Sequence, residues 1–221
     1  MSKKVAVILC GSGYKDGSEI RESVATLYAL SKHGIEVQCF SPDENQYHVV
    51  NCKTGMELPN QFRNQLIESA RIARGEVEDI KKLKASDYDA VIMPGGFGAA
   101  KNLCTYAVRG IEGSVHMEVS RVLNEFYAAK KPIGAICIAP IIVAMTFKNK
   151  NFKITLGKES DTTIDAEKLG HTMYFVECNQ VHVDRENLIV TTPAYMDDKA
   201  PLFKIFEGIE SLVVEINKMM A

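Results

Sequence analysis

The chain alternates short apolar runs with longer amphipathic stretches, and this alternation restricts its possible folds more than any other feature. Strands are predicted at residues 5–9, 35–40, 90–93 and 133–136, and the first is continuously apolar, as in a strand buried on both faces. Helix-like segments separate these strands. The resulting βαβα order predicts an α/β fold with a mostly parallel sheet and helices on both faces.

Helical periodicity and turn residues complete the pattern. Helices are predicted at residues 18–33, 61–73, 115–126, 138–147 and 202–216. In the first of these, Ile20, Val24, Leu27 and Ser31 follow helical spacing. The last third adds short strands at 153–156 and 173–176, and a hairpin formed by 181–184 and 188–191.

The composition limits the class of protein. The chain has 221 residues, of which 46% are hydrophobic, and its net charge is only −2. These values exclude disorder, predict one globular domain over residues 1–221, and give no support for a nucleic-acid or membrane-surface partner. The longest apolar stretch, 134–145, is interrupted by Pro140 and is too short to span a bilayer. Six scattered cysteines are typical of reduced thiols, so a cytoplasmic location is expected.

Ligands of such sheets bind beyond the carboxyl ends of the strands, which selects the loops 10–19, 94–102 and 137–140. The last of these begins with Cys137, between a predicted strand and a predicted helix. A thiol in that position is exposed as in a nucleophile elbow, and the helix N-terminus favours its thiolate form. A buried, unreactive core cysteine is the alternative.

The loop 94–98, with the sequence PGGFG, leaves backbone amides uncovered by side chains. Such amides can stabilise an oxyanion, although an ordinary tight turn explains the glycines equally well. The loop is not a Walker A motif, because Lys101 follows an alanine and Asn102 stands where Ser or Thr is required.

The loop 11–19 has two interpretations. Its glycines resemble a dinucleotide fingerprint, but Asp16 replaces the last glycine and would repel a pyrophosphate. Alternatively, Glu19 is a carboxyl directed at Cys137, where it would share a proton with the sulfur, or it only stabilises the start of a helix. The five histidines have no metal-ligand spacing, so no metal site is predicted.

Five segments together resemble one family. They are 16–20, 74–76, 94–103, 137–140 and 191–196, with the sequences DGSEI, RGE, PGGFGAAKNL, CIAP and TTPAYM. In this order they are similar to the ElbB family of the class I glutamine amidotransferase-like superfamily, which also includes PfpI-type proteases. The resemblance covers essentially the whole chain.

The resemblance implies a flavodoxin-like three-layer α/β/α sandwich that forms a homodimer. It implies that Cys137 is the nucleophile and that Glu19 is the acid hydrogen-bonded to the sulfur. The backbones of Gly96 and Ile138 match the oxyanion pocket of the family. Gly95, Asn102 and Tyr195 are predicted to line the same pocket and to bind substrate.

The activity implied by the resemblance is a cofactor-free glyoxalase reaction, which converts glyoxal, or a similar small dicarbonyl, to a hydroxy acid. The family is also linked to isoprenoid biosynthesis. Relatives in the superfamily often have a histidine after the cysteine, where this chain has Ile138, and this departure argues against a protease triad. A redox-sensing protein in which Cys137 is oxidised remains the alternative function.

Overall fold

The computed structural model describes residues 3–220 and contains a seven-stranded sheet with helices on both faces. The strands, in chain order, are β1 Lys4–Ile8, β2 Glu36–Ser41, β3 Val77–Asp79, β4 Ala90–Met93, β5 Ile133–Ile136, β6 Lys153–Ile154, β7 Thr172–Met173, β8 His182–Asp184 and β9 Ile189–Thr192. The helices are α1 Ile20–Lys32, α2 Gln65–Ile72, α3 Ala99–Asn102, α4 Tyr106–Arg109, α5 Met117–Ala128, α6 Pro140–Thr146, α7 Asp161–Lys168 and α8 Leu202–Met219.

The sheet order is β3-β2-β1-β4-β5-β9-β8. All neighbouring strands are parallel except β8, which pairs antiparallel with β9 and forms the predicted hairpin. The central strands β1, β4 and β5 are almost completely buried, as expected for parallel strands covered on both faces. This arrangement confirms the predicted flavodoxin-like α/β sandwich.

The parallel register brings three strand ends to one edge of the sheet. Val5 of β1 pairs with Ala90 of β4, and Val91 pairs with Ile133 of β5. The loops that follow β1, β4 and β5 therefore leave the sheet side by side. These are the three loops that the sequence selected as the place of the site.

Four elements were not predicted from the sequence: β3, α3, α4 and α7. The first three have only three or four residues each, too few for a periodic pattern to show. Helix α7 has a capping box at Ser160 and Thr163, but mostly polar residues follow it. The strands β6 and β7 are shorter than predicted and form a separate parallel pair.

Helix α1 is confirmed, but its buried face is not the one that the large apolar residues mark. Ile20 and Val24 remain nearly half exposed, while Ala25, Ala29 and Leu30 are buried. Small side chains lie on the inner face because α1 packs closely against α8 and β2. Within residues 3–220, no helix combines the length and apolarity needed to cross a bilayer.

Candidate active site

Cys137 lies at the sharp turn between β5 and α6. Its φ of 61° is in the left-handed region, which is uncommon for a residue other than glycine and often marks a functional site. The backbone N–H of Cys137 donates to the carbonyl of Thr192 at 2.9 Å, which anchors the turn to the end of β9. Pro140 then starts α6, where its missing N–H has no cost. The turn therefore holds the thiol beyond the carboxyl edge of the sheet.

The carboxyl group beside Cys137 belongs to Glu22: a Cβ added to Gly95 would collide with the Cβ of Cys137 and would lie 2.9 Å from Oε2 of Glu22. Glu22 is completely buried in the first turn of α1. Its Oε2 accepts the N–H of Gly95 at 2.9 Å, and its Oε1 accepts the N–H of Tyr195 at 3.1 Å. Loops after β4 and β9 therefore fix this carboxyl group beside Cys137.

The prediction for Glu19 is corrected by this geometry. Glu19 is the N-cap of α1, and its Oε2 accepts the backbone N–H of Glu22 at 2.6 Å. Its carboxyl group thus turns back to the helix end, whereas Glu22, three residues later, points inward. The sequence offered one signal for Glu22, because it continues the small inner face of Ala25 and Ala29 by one helical turn.

Burial controls the ionisation of this pair. Burial first, and then the negative charge of Glu19, raise the pKa of Glu22 to about 8. Burial and the charge of Glu22 also raise the pKa of Cys137 well above its usual range. Backbone N–H groups of Gly96 and Ile138 oppose this rise by donating to the sulfur. With a pKa of about 8, Glu22 is mostly protonated at neutral pH and becomes a proton acceptor for the thiol as the pH rises through this value.

The Gly96 and Ile138 amides are the two donors predicted for an oxyanion pocket, and both are directed at the sulfur. Gly96 has a φ of 97°, and a Cβ there would lie 2.5 Å from the backbone nitrogen of Glu19. Only glycine therefore allows this close approach to the start of α1. The two amides are placed to stabilise negative charge on a group bound to the sulfur.

Gly95 has a different role from the predicted one. Its N–H is already used by Glu22, and its carbonyl accepts the N–H of Glu19 at 2.9 Å. A Cβ at this position would collide with the Cβ of Cys137. Gly95 therefore positions the acid and makes room for the nucleophile, and its amide is not available to an oxyanion.

Asn102 is likewise a structural residue in this fold. Its Nδ2 donates to the carbonyls of Cys10 and Asp16 at 3.1 and 2.9 Å, and its Oδ1 accepts the N–H of Tyr47 at 2.9 Å. These bonds occupy the buried amide, so the predicted substrate contact is corrected. Asn102 instead ties α3 to the loops that follow β1 and β2.

Tyr195 and Arg21 form the rim of the site. Arg21 donates from Nη1 to the Tyr195 hydroxyl at 2.9 Å, and the Tyr195 backbone holds Glu22. The role of Tyr195 in lining the pocket and binding substrate stays a prediction. Cys137 itself is buried, with only 7% of the residue's surface exposed.

Two of the histidines, His116 and His182, make contacts that do not involve Cys137. His116 caps α5 and faces Glu44, while His182 stacks on Tyr174 with ring centroids 3.8 Å apart. Across residues 3–220, no three His, Cys, Asp or Glu side chains are grouped as metal ligands. The described site thus consists of a thiol, a buried carboxyl group and two backbone amides.

Comparison with known proteins agrees with this geometry. The family model described as the DJ-1/PfpI family matches residues 3–204. The chain is 45% identical, over 96% of its length and 82% of the relative's, to the human glutamine amidotransferase-like class 1 domain-containing protein 3, mitochondrial.

Two solved structures extend the comparison. An isoprenoid biosynthesis protein with an amidotransferase-like domain from Ehrlichia chaffeensis has a TM-score of 0.92 and 35% identity, with both chains covered completely. Glyoxalase III from Candida albicans shares the fold, with a TM-score of 0.62 at 16% identity and coverage of 96% and 97%. The predicted resemblance to the ElbB family is thereby confirmed, and the chain belongs to the DJ-1/PfpI family.

Proposed function

We propose that this protein is a cofactor-independent, glyoxalase-like enzyme that converts glyoxal or a similar small dicarbonyl to a hydroxy acid. The observation that carries the proposal is the buried Glu22 carboxyl group beside the Cys137 side chain, next to the backbone amides of Gly96 and Ile138. A nucleophile, a proton acceptor with a pKa of about 8 and an oxyanion pocket are the groups that this reaction needs.

The reaction begins when the Cys137 sulfur adds to one aldehyde carbon and its proton passes to Glu22. The Gly96 and Ile138 amides stabilise the oxygen of the resulting hemithioacetal. Glu22 passes the thiol proton to that oxygen, then removes the C–H proton of the same carbon and delivers it to the second carbon, while the hydroxyl proton of the first carbon moves to the oxygen of the second. The first carbon is thereby oxidised to a thioester and the second is reduced to an alcohol within one molecule. Water finally hydrolyses the thioester, releases the hydroxy acid and restores the thiol.

The relatives support the reaction class only in part. The C. albicans protein is named as a glyoxalase III, but at 16% identity it shares no more than the fold. The E. chaffeensis protein is named for isoprenoid biosynthesis, so a role of this chain near that metabolism also remains a proposal. The proposal of glyoxalase chemistry is therefore supported by Cys137, Glu22 and the two amides, and not by the relatives.

Glyoxal turnover, followed as formation of glycolate, tests the proposal. The parent protein is expected to produce glycolate without added cofactor. Cys137→Ala is expected to lose this activity, while Cys104→Ala, which changes another buried cysteine, retains it. Full turnover by Cys137→Ala, or none by the folded parent protein, would overturn the proposal.

A redox-sensing role for Cys137 is the second candidate, and the protonation of Glu22 favours it. With a pKa of about 8, Glu22 carries a proton at neutral pH and can donate it to an oxidised sulfur. Selective oxidation of Cys137 by dilute peroxide, measured by peptide mass spectrometry in a protein that turns over no dicarbonyl, would favour the sensor over the enzyme.

We also propose that the protein forms a homodimer. The outer face of α1 exposes Ile20, Val24 and Tyr28 at helical spacing. Each of these large side chains is 40–60% exposed, and a contiguous exposed apolar patch of this kind is typical of a protein–protein interface. A second copy would cover this face.

The expected cytoplasmic location also remains a prediction, since the human relative is named as mitochondrial.

A further inference from the structure

A second cluster of reactive groups lies in a cleft of about 620 Å³ on the other side of the loop after β4. Phe97, which follows the oxyanion residue Gly96, forms one wall of the cleft, and Lys101, His48 and Glu57 line it together with Lys15. The Phe97 N–H donates to the carbonyl of Tyr14 at 2.7 Å, which fixes this wall to the loop after β1. The side chains that line this cleft take no part in the reaction proposed for Cys137.

Three of these side chains form a relay. Lys101 Nζ lies 2.8 Å from His48 Nε2, and the His48 Nδ1 contacts the carboxylate of Glu57. The Nδ1–H of His48 therefore donates to Glu57, which leaves Nε2 free to accept a proton from Lys101. This is the order of groups that activates a nucleophile: a carboxylate orients an imidazole, and the imidazole removes a proton.

Burial shifts the proton equilibrium of Lys101 towards its uncharged form. Partial burial lowers the pKa of Lys101, and the nearby charge of Lys15 acts in the same direction, although Asp16 and Glu57 oppose it. The amine lies against the face of Phe97, 4.2 Å from the ring centroid, and donates to the Lys15 carbonyl at 3.0 Å. A fixed amine beside a base in an open cleft is suited to attack a carbonyl carbon.

We propose that Lys101 forms a Schiff base with small aldehydes in this cleft, at a site separate from Cys137. The Lys101 ammonium passes one proton to His48, whose imidazolium remains paired with Glu57. The amine lone pair then bonds to the aldehyde carbon, and the carbonyl oxygen takes the proton from His48. A second proton leaves the nitrogen with this hydroxyl as water, so the products are a protonated imine and water, with no oxidation or reduction.

Trapping with cyanoborohydride tests the proposal. The folded protein is treated with glycolaldehyde and cyanoborohydride at neutral pH, and the modified lysines are counted by peptide mass spectrometry. Lys15 lines the same cleft without a histidine partner and serves as the internal control. Lys101 is expected to be modified at least about tenfold faster than Lys15, because His48 accepts the Lys101 proton and a positioned base typically contributes about 10²-fold or more.

Two variants remove the relay without removing the amine. His48→Gln and Glu57→Gln remove or misorient the proton acceptor, so each is expected to slow modification of Lys101 by about tenfold or more and to leave Lys15 unchanged. Cys137→Ala is expected to leave the labelling of Lys101 intact, so this test does not depend on the glyoxalase reaction. Equal modification of Lys101 and Lys15 in the parent protein, or unchanged labelling of Lys101 in His48→Gln, would overturn the proposal.

Discussion

The protonation of the Cys137 thiol and the protonation of the Glu22 carboxyl group are coupled, because both groups are buried and each shifts the pKa of the other. Burial raises both pKa values, so the first proton is expected to leave the pair near the pKa of about 8 of Glu22. As the pH rises through this value, the carboxylate becomes able to accept the thiol proton. The reactivity of Cys137 should therefore rise with pH around 8.

Alkylation by iodoacetamide measures this dependence. In the parent protein, the rate of Cys137 modification is expected to increase between about one pH unit below and one above the Glu22 pKa. In Glu22→Gln no proton acceptor remains, and burial keeps the thiol pKa above its usual value, so the increase should move to higher pH. Identical pH profiles for the two proteins would show that Glu22 does not act on the thiol.

The choice between Glu19 and Glu22 marks what residue types alone can and cannot decide. Cys137 was singled out from the sequence because it lies between a predicted strand and a predicted helix, at the edge where parallel sheets bind ligands, although a buried core cysteine was the alternative. The acid was not, because the two glutamates are three residues apart and the helix boundary decides which of them turns inward. α1 begins at Ile20, so Glu19 caps the helix and Glu22 lies on its buried side.

Among the elements, the strongly apolar ones were predictable, and the short connectors were not. β1, β4 and β5 are continuous apolar runs, α8 has a clear helical period, and all four are present. The α3 connector has four residues and no such pattern, yet it places Asn102. Motif resemblance gave Asn102 a substrate role, but only the packed loops show that its amide is already occupied.

Asn102→Asp tests this structural role of α3. A carboxylate cannot donate to the carbonyls of Cys10 and Asp16, so the variant is expected to lose on the order of 3 kcal/mol of unfolding free energy. Asn124→Asp makes the same change on the exposed side of α5 and should cost less than about 0.5 kcal/mol. Urea unfolding measures both, and an equal stability of the two variants would disprove the assignment.

At the scale of the whole molecule, the exposed face of α1 predicts a homodimer. From the sequence, a homodimer was expected only because the chain resembles the ElbB family. Ile20 and Val24 are apolar residues at helical spacing, but the packing of α1 leaves both side chains exposed to solvent. Periodicity gives the angle between residues on a helix, but the neighbouring elements decide which side of that helix is buried.

Size-exclusion chromatography with light scattering is expected to give twice the chain mass for the parent protein. Val24→Glu should give a monomer, because a charge in a buried apolar interface has no partner. Ile67→Glu places the same charge on an exposed apolar position of α2 and should leave the dimer intact. A monomeric parent protein, or a Val24→Glu variant that stays dimeric, would exclude this face as the interface.

The most direct measurement is glyoxal turnover by Glu22→Gln against Glu19→Gln, two neighbouring glutamates changed in the same way. Glu22→Gln should reduce turnover by about 10²-fold or more, the typical contribution of a proton-transferring group. Glu19→Gln keeps an oxygen that can accept the Glu22 N–H but removes the negative charge at the start of α1, so it should mainly reduce stability, by less than about 1 kcal/mol, with most of the turnover retained. The opposite order of the two turnover losses would contradict the pairing of Glu22 with Cys137.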